Sequence, residues 1–359
     1  MSRSVLILGG AGNFGKRIAT ALAHKNVPVI VAGRNLVRAK ELVQTLPQAQ
    51  AVQLDLTKDW NADLVRLRPA VVVNTCGPFQ GSDYRVAQAC IAQGVHYVDL
   101  ADGRAFVTGI TALDELARAA DVAVISGAST VPGLSSAVVE AMHSAFAVIE
   151  RMRYSISPGQ QAERGRATTQ GILSYVGKPL APWPGQTRPA FGWQDIYRQE
   201  YPELGKRWLA NCDIPDLDLL PARYGIKHIQ FSAGLELGPL HLGLWGLSWL
   251  VRLGLPLNLP RYAAPLLAIS NWFDRFGSAD GGMHVLLQGK GHDGQSLQRR
   301  WCIIARQGHG PHIPTIPAII LAERLARGTL QLAGAMPCCG LVSLEDYLTE
   351  LKGYDVQVY

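Results

Sequence analysis

The feature that most constrains the fold is a short apolar run that leads directly into a glycine-rich turn near the start of the chain. Val5–Leu8 has the composition of a buried parallel strand, and the spacing Gly-x-Gly-x-x-Gly follows at once. A helical pattern with apolar Ile18 and Leu22 comes next. In dinucleotide-binding domains, such a helix N-terminus holds a pyrophosphate. The predicted cofactor loop comprises Gly10, Ala11, Gly12, Asn13, Phe14 and Gly15.

The end of the second apolar strand, Val27–Ala32, indicates which dinucleotide is bound. Sites that prefer NAD place an Asp or Glu about 20 residues after the fingerprint, where it binds the ribose 2′-hydroxyl. Here Gly33 and Arg34 occupy that place, and Arg38 follows one helical turn later. A guanidinium without a carboxylate suits a 2′-phosphate, although Arg34 also fits an ordinary strand end. NADP(H) is therefore the predicted cofactor, with Arg34 and Asn35 in its site.

Further apolar strands alternate with helical segments as far as residue 127. This alternation predicts an α/β fold with a doubly wound parallel Rossmann sheet. Ligands of such sheets lie outside the carboxyl ends of the strands, so the residues after the third and fourth strands are expected at the cofactor. They are Asp55, Cys76, Gly77 and Pro78.

Polar side chains cluster at the end of the predicted fifth strand, Val95–Asp102, where chemistry is expected. His96, Tyr97, Asp99 and Asp102 are unusual for a strand that should be buried. Alternation points Tyr97 and Asp99 to the same face, so at least one of them is expected to be a hydrogen-bonded structural group. Tyr97, Asp99 and Asp102 are the candidate proton donors or acceptors.

Composition predicts a two-domain protein of a reducing compartment. The 359 residues are 48% hydrophobic and 17% charged, which is enough to bury a large core. The six cysteines have no C-x-x-C spacing, so no metal is predicted. The net charge of +6 is dispersed, and nucleic acid is not an expected partner. Met1–Arg3 leads directly into the first strand, so a cytoplasmic protein without a signal peptide is expected.

Three later stretches, together with the glycine-rich start, resemble the saccharopine dehydrogenase-like (saccharopine reductase) family. They are Gly94–Leu100, Gly127–Met142 and Gly310–Ala318. The resemblance implies a split Rossmann domain, residues 1–128 plus 312–359, with a second α+β domain, residues 129–311, inserted before the returning C-terminal helix. It also implies NADP(H) and hydride transfer to an imine or a carbonyl group.

The resemblance further implies that the returning segment lies near the nicotinamide. Thr315 and the helix Ile316–Ala326 resemble this segment, and Gly334, Ala335 and Pro337 resemble the turn beyond it. His312 flanks the segment. A histidine that titrates near neutral pH suits proton transfer, so His312 is a further catalytic candidate.

The middle of the chain contains one unusual apolar stretch. Leu237–Leu259 has Arg252 as its only charged residue, and its glycines and prolines are expected to break a regular membrane span. The stretch is interpreted as a lid, an apolar substrate wall, a dimer interface or a membrane-surface contact. Strands such as Met152–Ser157 and a hairpin closed by His292–Gly294 indicate a separate sheet around it.

Two classes of function remain open. One is an NADP-dependent oxidoreductase that acts on a small molecule. Its substrate is then amino acid-like, with a C=N or C=O group, or lipid- or polyketide-like, as for an enoyl reductase. The other is a non-catalytic NADPH-sensing protein. The chain has no Tyr-x-x-x-Lys, which excludes a short-chain dehydrogenase site. A homodimer is expected, and association with a membrane through residues 237–259 is one of the open interpretations.

Overall fold

The computed structural model describes residues 4–359, so the expectation drawn from Met1–Arg3 lies outside it. The chain divides into two compact units: unit 1 extends to Leu134 and includes His312–Val342, and unit 2 is Ser135–Pro311 with Ser343–Tyr359. In chain order the strands are β1 (Val5–Leu8), β2 (Val29–Gly33), β3 (Ala49–Gln53), β4 (Val71–Asn74), β5 (His96–Asp99), β6 (Ala123–Ser126), β7 (Phe146–Ser157), β8 (Tyr197–Tyr201), β9 (Gly205–Asn211), β10 (His228–Ala233), β11 (Gly281–Gly291), β12 (Ser296–Ala305), β13 (Gly334–Pro337) and β14 (Val356–Val358).

Helices connect these strands. They are α1 (Asn13–His24), α2 (Leu36–Val43), α3 (Asn61–Leu67), α4 (Arg85–Ala92), α5 (Arg104–Gly109), α6 (Asp114–Ala119), α7 (Ser135–His143), α8 (Arg166–Tyr175), α9 (Asp216–Tyr224), α10 (Gly238–Arg252), α11 (Ala263–Trp272), α12 (Ile316–Arg327) and α13 (Leu344–Glu350). Short 3₁₀ turns lie at Ile110–Leu113, Leu259–Tyr262, Asp274–Phe276 and Gly310–Thr315.

Unit 1 is built around a seven-stranded parallel sheet in the order β13-β6-β5-β4-β1-β2-β3. The Val- and Ile-rich strands β1, β4 and β6 are buried along their whole length, which is typical of parallel sheets covered by helices. The strand order reverses at β1, which lies between β2 and β4. A ligand crevice is expected at this switch point, outside the carboxyl ends of the strands. The predicted doubly wound α/β fold is confirmed.

Two elements of unit 1 differ from the sequence-based expectation. Gly334–Pro337, expected to be a turn, is strand β13 and pairs in parallel with β6. The fifth strand is shorter than predicted and ends at Asp99, because the Asp99 carboxyl group turns to accept the N–H of Ala101. Both differences depend on contacts with distant or buried groups rather than on local composition.

Unit 2 contains a second seven-stranded sheet, of mixed direction, in the order β14-β12-β11-β7-β10-β9-β8. The hairpin predicted around His292–Gly294 is present as β11 and β12, which pair antiparallel. Strand β7 pairs antiparallel with β11 and parallel with β10. Residues 343–359, expected in the nucleotide-binding domain, belong to unit 2, where β14 pairs with β12.

The apolar stretch in the middle of the chain contains helix α10, which ends at Arg252, before Gly254 and Pro256. Helix α10 continues without interruption through Gly243 and Gly246. Its proline, Pro239, lies in the first turn, where a missing N–H costs nothing. Each interior glycine lowers helix stability by only about 1 kcal/mol. Among residues 4–359, no helix combines the length and the apolarity needed to cross a membrane.

Candidate functional site

A tight backbone turn joins β1 to α1. It begins at Gly9, whose φ of +74° lies in the left-handed region that favours glycine. The Gly12 N–H donates to the Gly9 carbonyl oxygen at 2.8 Å. A Cβ on Gly15 would lie 2.3 Å from the Gly9 carbonyl oxygen and 2.7 Å from the Gly10 Cα. The first turn of α1 therefore packs directly on backbone, and only glycine fits at position 15.

The N-terminus of α1 is open to an anion. Gly12 precedes the helix with extended backbone (ψ 179°), and among the described residues no side chain caps it and no acid lies in its first turn. A Cβ on Gly12 would contact only the Gly9 carbonyl oxygen, at 3.0 Å. The backbone N–H groups and the positive end of the helix dipole therefore form a cradle that fits a pyrophosphate.

A cavity of about 960 Å³ extends from this turn to the loop after β4. Cofactor and ligand pockets occupy about 300–1,000 Å³. The predicted cofactor residues that line it are Ala11, Gly12, Arg34, Asn35, Asp55, Cys76 and Gly77. Lining residues outside the predicted set are Leu8, Gly9, Ala32, Gly33, Leu36, Val37, Arg38, Gln53, Leu54, Leu56, Thr57 and Thr75. The predicted residues outside the lining are Gly10, Asn13, Phe14, Gly15, Pro78 and Thr315.

Two arginines stand at the rim of this cavity. Asn35 caps α2, and its side-chain oxygen accepts the Arg38 N–H at 3.1 Å. The cap places Arg34 just before the helix and Arg38 in its first turn, and Gln53 of β3 donates to the Arg34 carbonyl oxygen at 3.1 Å. Both arginines are exposed and line the cavity. Their forked donors suit a phosphate group.

Asp55 follows β3 and closes a small turn at the cavity. One of its carboxylate oxygens, Oδ1, accepts the Thr57 N–H at 3.0 Å and the Thr57 hydroxyl at 2.9 Å. These hydrogen bonds, with the nearby charge of Arg34, hold the pKa of Asp55 below its ordinary value. The carboxylate is therefore ionised at neutral pH. The spacing Asp-x-Thr is the sequence signal from which Thr57 can be predicted.

The buried Asn74 at the end of β4 couples the cavity loop to β5. Its amide nitrogen donates to the Tyr97 hydroxyl at 3.2 Å, and its side-chain oxygen accepts the Cys76 N–H at 3.0 Å. The Thr75 hydroxyl donates to the Leu8 carbonyl oxygen at 2.8 Å. Burial raises the pKa of Tyr97 well above its ordinary value. Tyr97 thus holds the loop in place while its own hydroxyl stays inside unit 1.

Asp99 is completely buried and joins the end of β5 to the end of β6. Its Oδ1 atom accepts the Ala101 N–H at 2.9 Å, the Gly127 N–H at 2.8 Å and the Ser126 hydroxyl at 2.9 Å. Burial raises the pKa of Asp99 to about 6, although these hydrogen bonds oppose the change. This arrangement organises the backbone where the two strands end.

The raised pKa of Asp99 predicts a pH-dependent stability. The pKa is about 6 in the folded protein and 3.8 for an ordinary Asp. The resulting stabilisation is complete below about pH 4 and is lost as the pH rises through about 6, and it amounts to about 2–3 kcal/mol. We expect Asp99→Asn to remove this part of the pH dependence in thermal unfolding curves. A variant with the wild-type slope between these pH values would contradict the assignment.

Asp102 and His312 are less enclosed than Tyr97 and Asp99. Asp102 lies just beyond β5, is half-buried, and accepts a hydrogen bond from the Gln80 side chain at 3.0 Å. Burial raises its pKa. His312 is half-buried in the turn before α12, and its carbonyl oxygen accepts the hydroxyl of the buried Thr315 at 2.7 Å. These two side chains retain partial access to solvent.

Comparisons with known proteins agree with this geometry. Residues 5–173 match the family model described as Saccharopine dehydrogenase NADP binding domain. The solved structure of saccharopine dehydrogenase (L-Glu forming) from Saccharomyces cerevisiae has the same fold, with a TM-score of 0.68 and 14% identity over 99% of each chain. Amine dehydrogenase from Mycobacterium smegmatis aligns over 93% of this chain and 94% of its own, with a TM-score of 0.48 and 13% identity. No curated protein matches the chain. The resemblance seen in the sequence is confirmed.

Proposed function

On the premise that residues 5–173 form a saccharopine dehydrogenase NADP-binding domain, we propose that this NAD(P)-dependent oxidoreductase acts on the C=N or C=O group of an amino acid-like substrate. The cavity that joins the glycine turn before α1 to Arg34 is the observation that carries the cofactor part of the proposal, and the match to the saccharopine dehydrogenase family supports the substrate class. NADP(H), when bound, supplies or accepts the hydride at its nicotinamide. The protein binds and orients the two reactants, and one of its side chains transfers the proton.

Residues of unit 1 suit each part of NADP(H). The backbone of Gly10–Gly15 suits the pyrophosphate, and Arg34 with Arg38 suits the 2′-phosphate. Asp55 suits the adenine amino group, and Cys76–Pro78 follows the strand end that leads toward the nicotinamide. We place Thr315 behind this end of the cofactor, as a support in the turn before α12.

Asp102 is the residue to which we assign proton transfer. It combines partial exposure with a raised pKa, and Gln80 orients its carboxyl group. His312 is the second candidate, because it is half-buried in the turn before α12 and an imidazole ring can both donate and accept a proton. We assign positioning roles to Tyr97 and Asp99, which are buried and hydrogen-bonded to neighbouring strand ends.

Asp102→Asn is expected to lower kcat by about 10²–10⁴-fold, because the amide keeps the Gln80 hydrogen bond but carries no acidic proton. NADPH affinity should change less than about twofold, since Asp102 does not line the dinucleotide cavity. Asp83→Asn, which removes an exposed carboxylate paired with Arg85, is the control and should retain activity. An unchanged kcat for Asp102→Asn would transfer the role to His312.

The substrate class is tested by NADPH oxidation against a panel of 2-oxo acids with amines, simple carbonyl compounds and enoyl thioesters. Turnover with a 2-oxo acid and an amine supports the proposal. Turnover with enoyl thioesters alone would favour a reductase of lipid-like substrates, a second candidate supported by exposed apolar residues of α10 such as Trp249. NADPH binding without turnover would favour an NADPH-sensing protein and overturn the catalytic proposal.

We also propose that the protein is a cytoplasmic homodimer. All six cysteines are free, which is in keeping with a reducing compartment. Sedimentation velocity over a range of protein concentrations tests the dimer. A monomer at every concentration would contradict it.

A further inference from the structure

Helix α10 is amphipathic in the reverse sense. Helices of soluble proteins bury an apolar stripe and expose a polar face. In α10 the buried residues are His241 and Ser248, whereas Leu242 and Trp249 are exposed. Leu253, the first residue after the helix, is 72% exposed. The exposed residues are separated by seven and four positions, so they lie along one side of the helix.

Contacts of the polar face hold this orientation. The His241 ring lies 5.3 Å from the Trp193 ring, and burial lowers the pKa of His241 to about 4, so the imidazole is neutral at pH 7. The Ser248 hydroxyl donates to the Trp245 carbonyl oxygen at 2.6 Å. A Cβ on Gly177 would lie only 2.3 Å from the Ser248 carbonyl oxygen. The buried side is closely packed, so the apolar side stays outward.

The same pattern continues in α11. Trp272 at its end is 83% exposed. The polar Ser270 instead faces the protein, where its hydroxyl accepts a hydrogen bond from Arg164 at 2.8 Å and its carbonyl oxygen accepts one from Gln160 at 2.7 Å. We use the term apolar surface for the exposed side chains of Leu242, Trp249, Leu253, Tyr262, Trp272 and Phe276.

The apolar surface is accompanied by positive charge. Residues 237–273 contain no Asp or Glu. The Arg252 guanidinium lies 4.9 Å from the centre of the Trp249 ring, and that of Arg275 lies 4.6 Å from the Phe276 ring. Cations beside exposed aromatic rings are well placed to meet an anionic partner that also accepts apolar side chains.

We infer that the apolar surface docks on an anionic lipid membrane. Elements that lie in a membrane interface combine Trp, Phe and Leu with Arg or Lys, and Trp and Tyr are enriched at that depth. The exposed Arg261 adds to the attraction for anionic head groups. A second copy of the chain fits less well, because a twofold contact would bring Arg252, Arg261 and Arg275 against like charges, and the acid of this segment, Asp274, already pairs with Arg164. The inference does not depend on the proposed catalytic function.

The test is co-sedimentation of the full-length protein with phosphatidylcholine vesicles, with and without phosphatidylserine. We expect binding to the vesicles that contain phosphatidylserine, and we expect it to weaken as salt is added. Leu253→Glu and Trp272→Glu should each reduce affinity at least about tenfold, because each places a carboxylate in the apolar contact. Both sites are largely exposed, so the melting temperature should not change. Leu116→Glu is the matched control, because Leu116 is 56% exposed in unit 1.

Loss of vesicle binding in the two variants, with normal binding by the control, supports the inference. Equal binding of the wild type to both kinds of vesicle contradicts its electrostatic part. No binding by the wild type overturns it. If the same substitutions convert a dimer to a monomer in sedimentation velocity and vesicles are not bound, a second copy covers the apolar surface and the inference is wrong.

Discussion

Replacing Arg34 with alanine is expected to weaken NADPH binding by about 10–100-fold while NADH binding changes less than about twofold. The two cofactors differ only in the 2′-phosphate, and hydrogen bonds to charged groups contribute about 1.5–3 kcal/mol each. Arg34 lies at the cavity rim, where the Gln53 side chain donates to its carbonyl oxygen, and it follows the end of β2, where NAD sites place an acidic ribose ligand. Titration calorimetry with both cofactors measures the difference directly.

Lys40→Ala provides the control for this experiment. Lys40 is an exposed cation of the same helix, α2, but it does not line the cavity. Lys40→Ala tests whether positive charge in general, rather than the Arg34 guanidinium, attracts NADPH, and it should leave NADPH affinity unchanged. Equal losses of NADPH and NADH affinity in Arg34→Ala would contradict the assignment to the 2′-phosphate.

Gly15→Ala and Gly12→Ala are expected to have different effects: the first should lower the stability of unit 1, and the second should weaken NADPH binding. At Gly15 the new Cβ would meet the Gly9 carbonyl oxygen at 2.3 Å, so Gly15→Ala should destabilise unit 1 by at least about 2 kcal/mol. At Gly12 the Cβ meets only one atom, at 3.0 Å, and the backbone is of a kind that alanine adopts. Gly12→Ala should therefore fold normally but bind NADPH at least about tenfold more weakly, because its methyl group projects where the pyrophosphate approaches.

The pair separates packing from cofactor contact within one turn. Thermal unfolding without cofactor reports the first effect, and NADPH titration of the folded protein reports the second. A destabilised Gly12→Ala would contradict the packing difference between the two glycines, and a Gly12→Ala with normal NADPH affinity would show that the pyrophosphate does not approach α1 at Gly12.

The elements that sequence reasoning predicts well are those whose signals are local. Strand β1, the glycine turn and α1 follow one another without a gap, and each is recognised by the spacing of its own residues. Arg34 is likewise identified by its distance from the turn. Part of the cavity lining is predicted in this way. Thr57 and Thr75 line the cavity through turns and backbone hydrogen bonds that apolar periodicity does not reveal.

Strand β13 shows why other elements need the tertiary structure. Gly334 and Pro337 favour a turn when considered locally. They form a strand because β6 offers unpaired backbone groups, and the strand lies at the edge of the sheet, where a proline is tolerated. No property of the segment itself supplies that partner.

The sequence by itself determines the parallel αβ architecture and predicts the position of the cofactor turn and the preference for NADP(H), because these follow from periodicity and from residue types at fixed spacings. Only the tertiary structure decides that Asp99 is enclosed by Ser126 and Gly127, and that Leu242, Trp249 and Leu250 of α10 face solvent. Burial and hydrogen-bond partners depend on residues far away in the chain. A local sequence pattern therefore does not predict the burial or the hydrogen-bond partners of these residues.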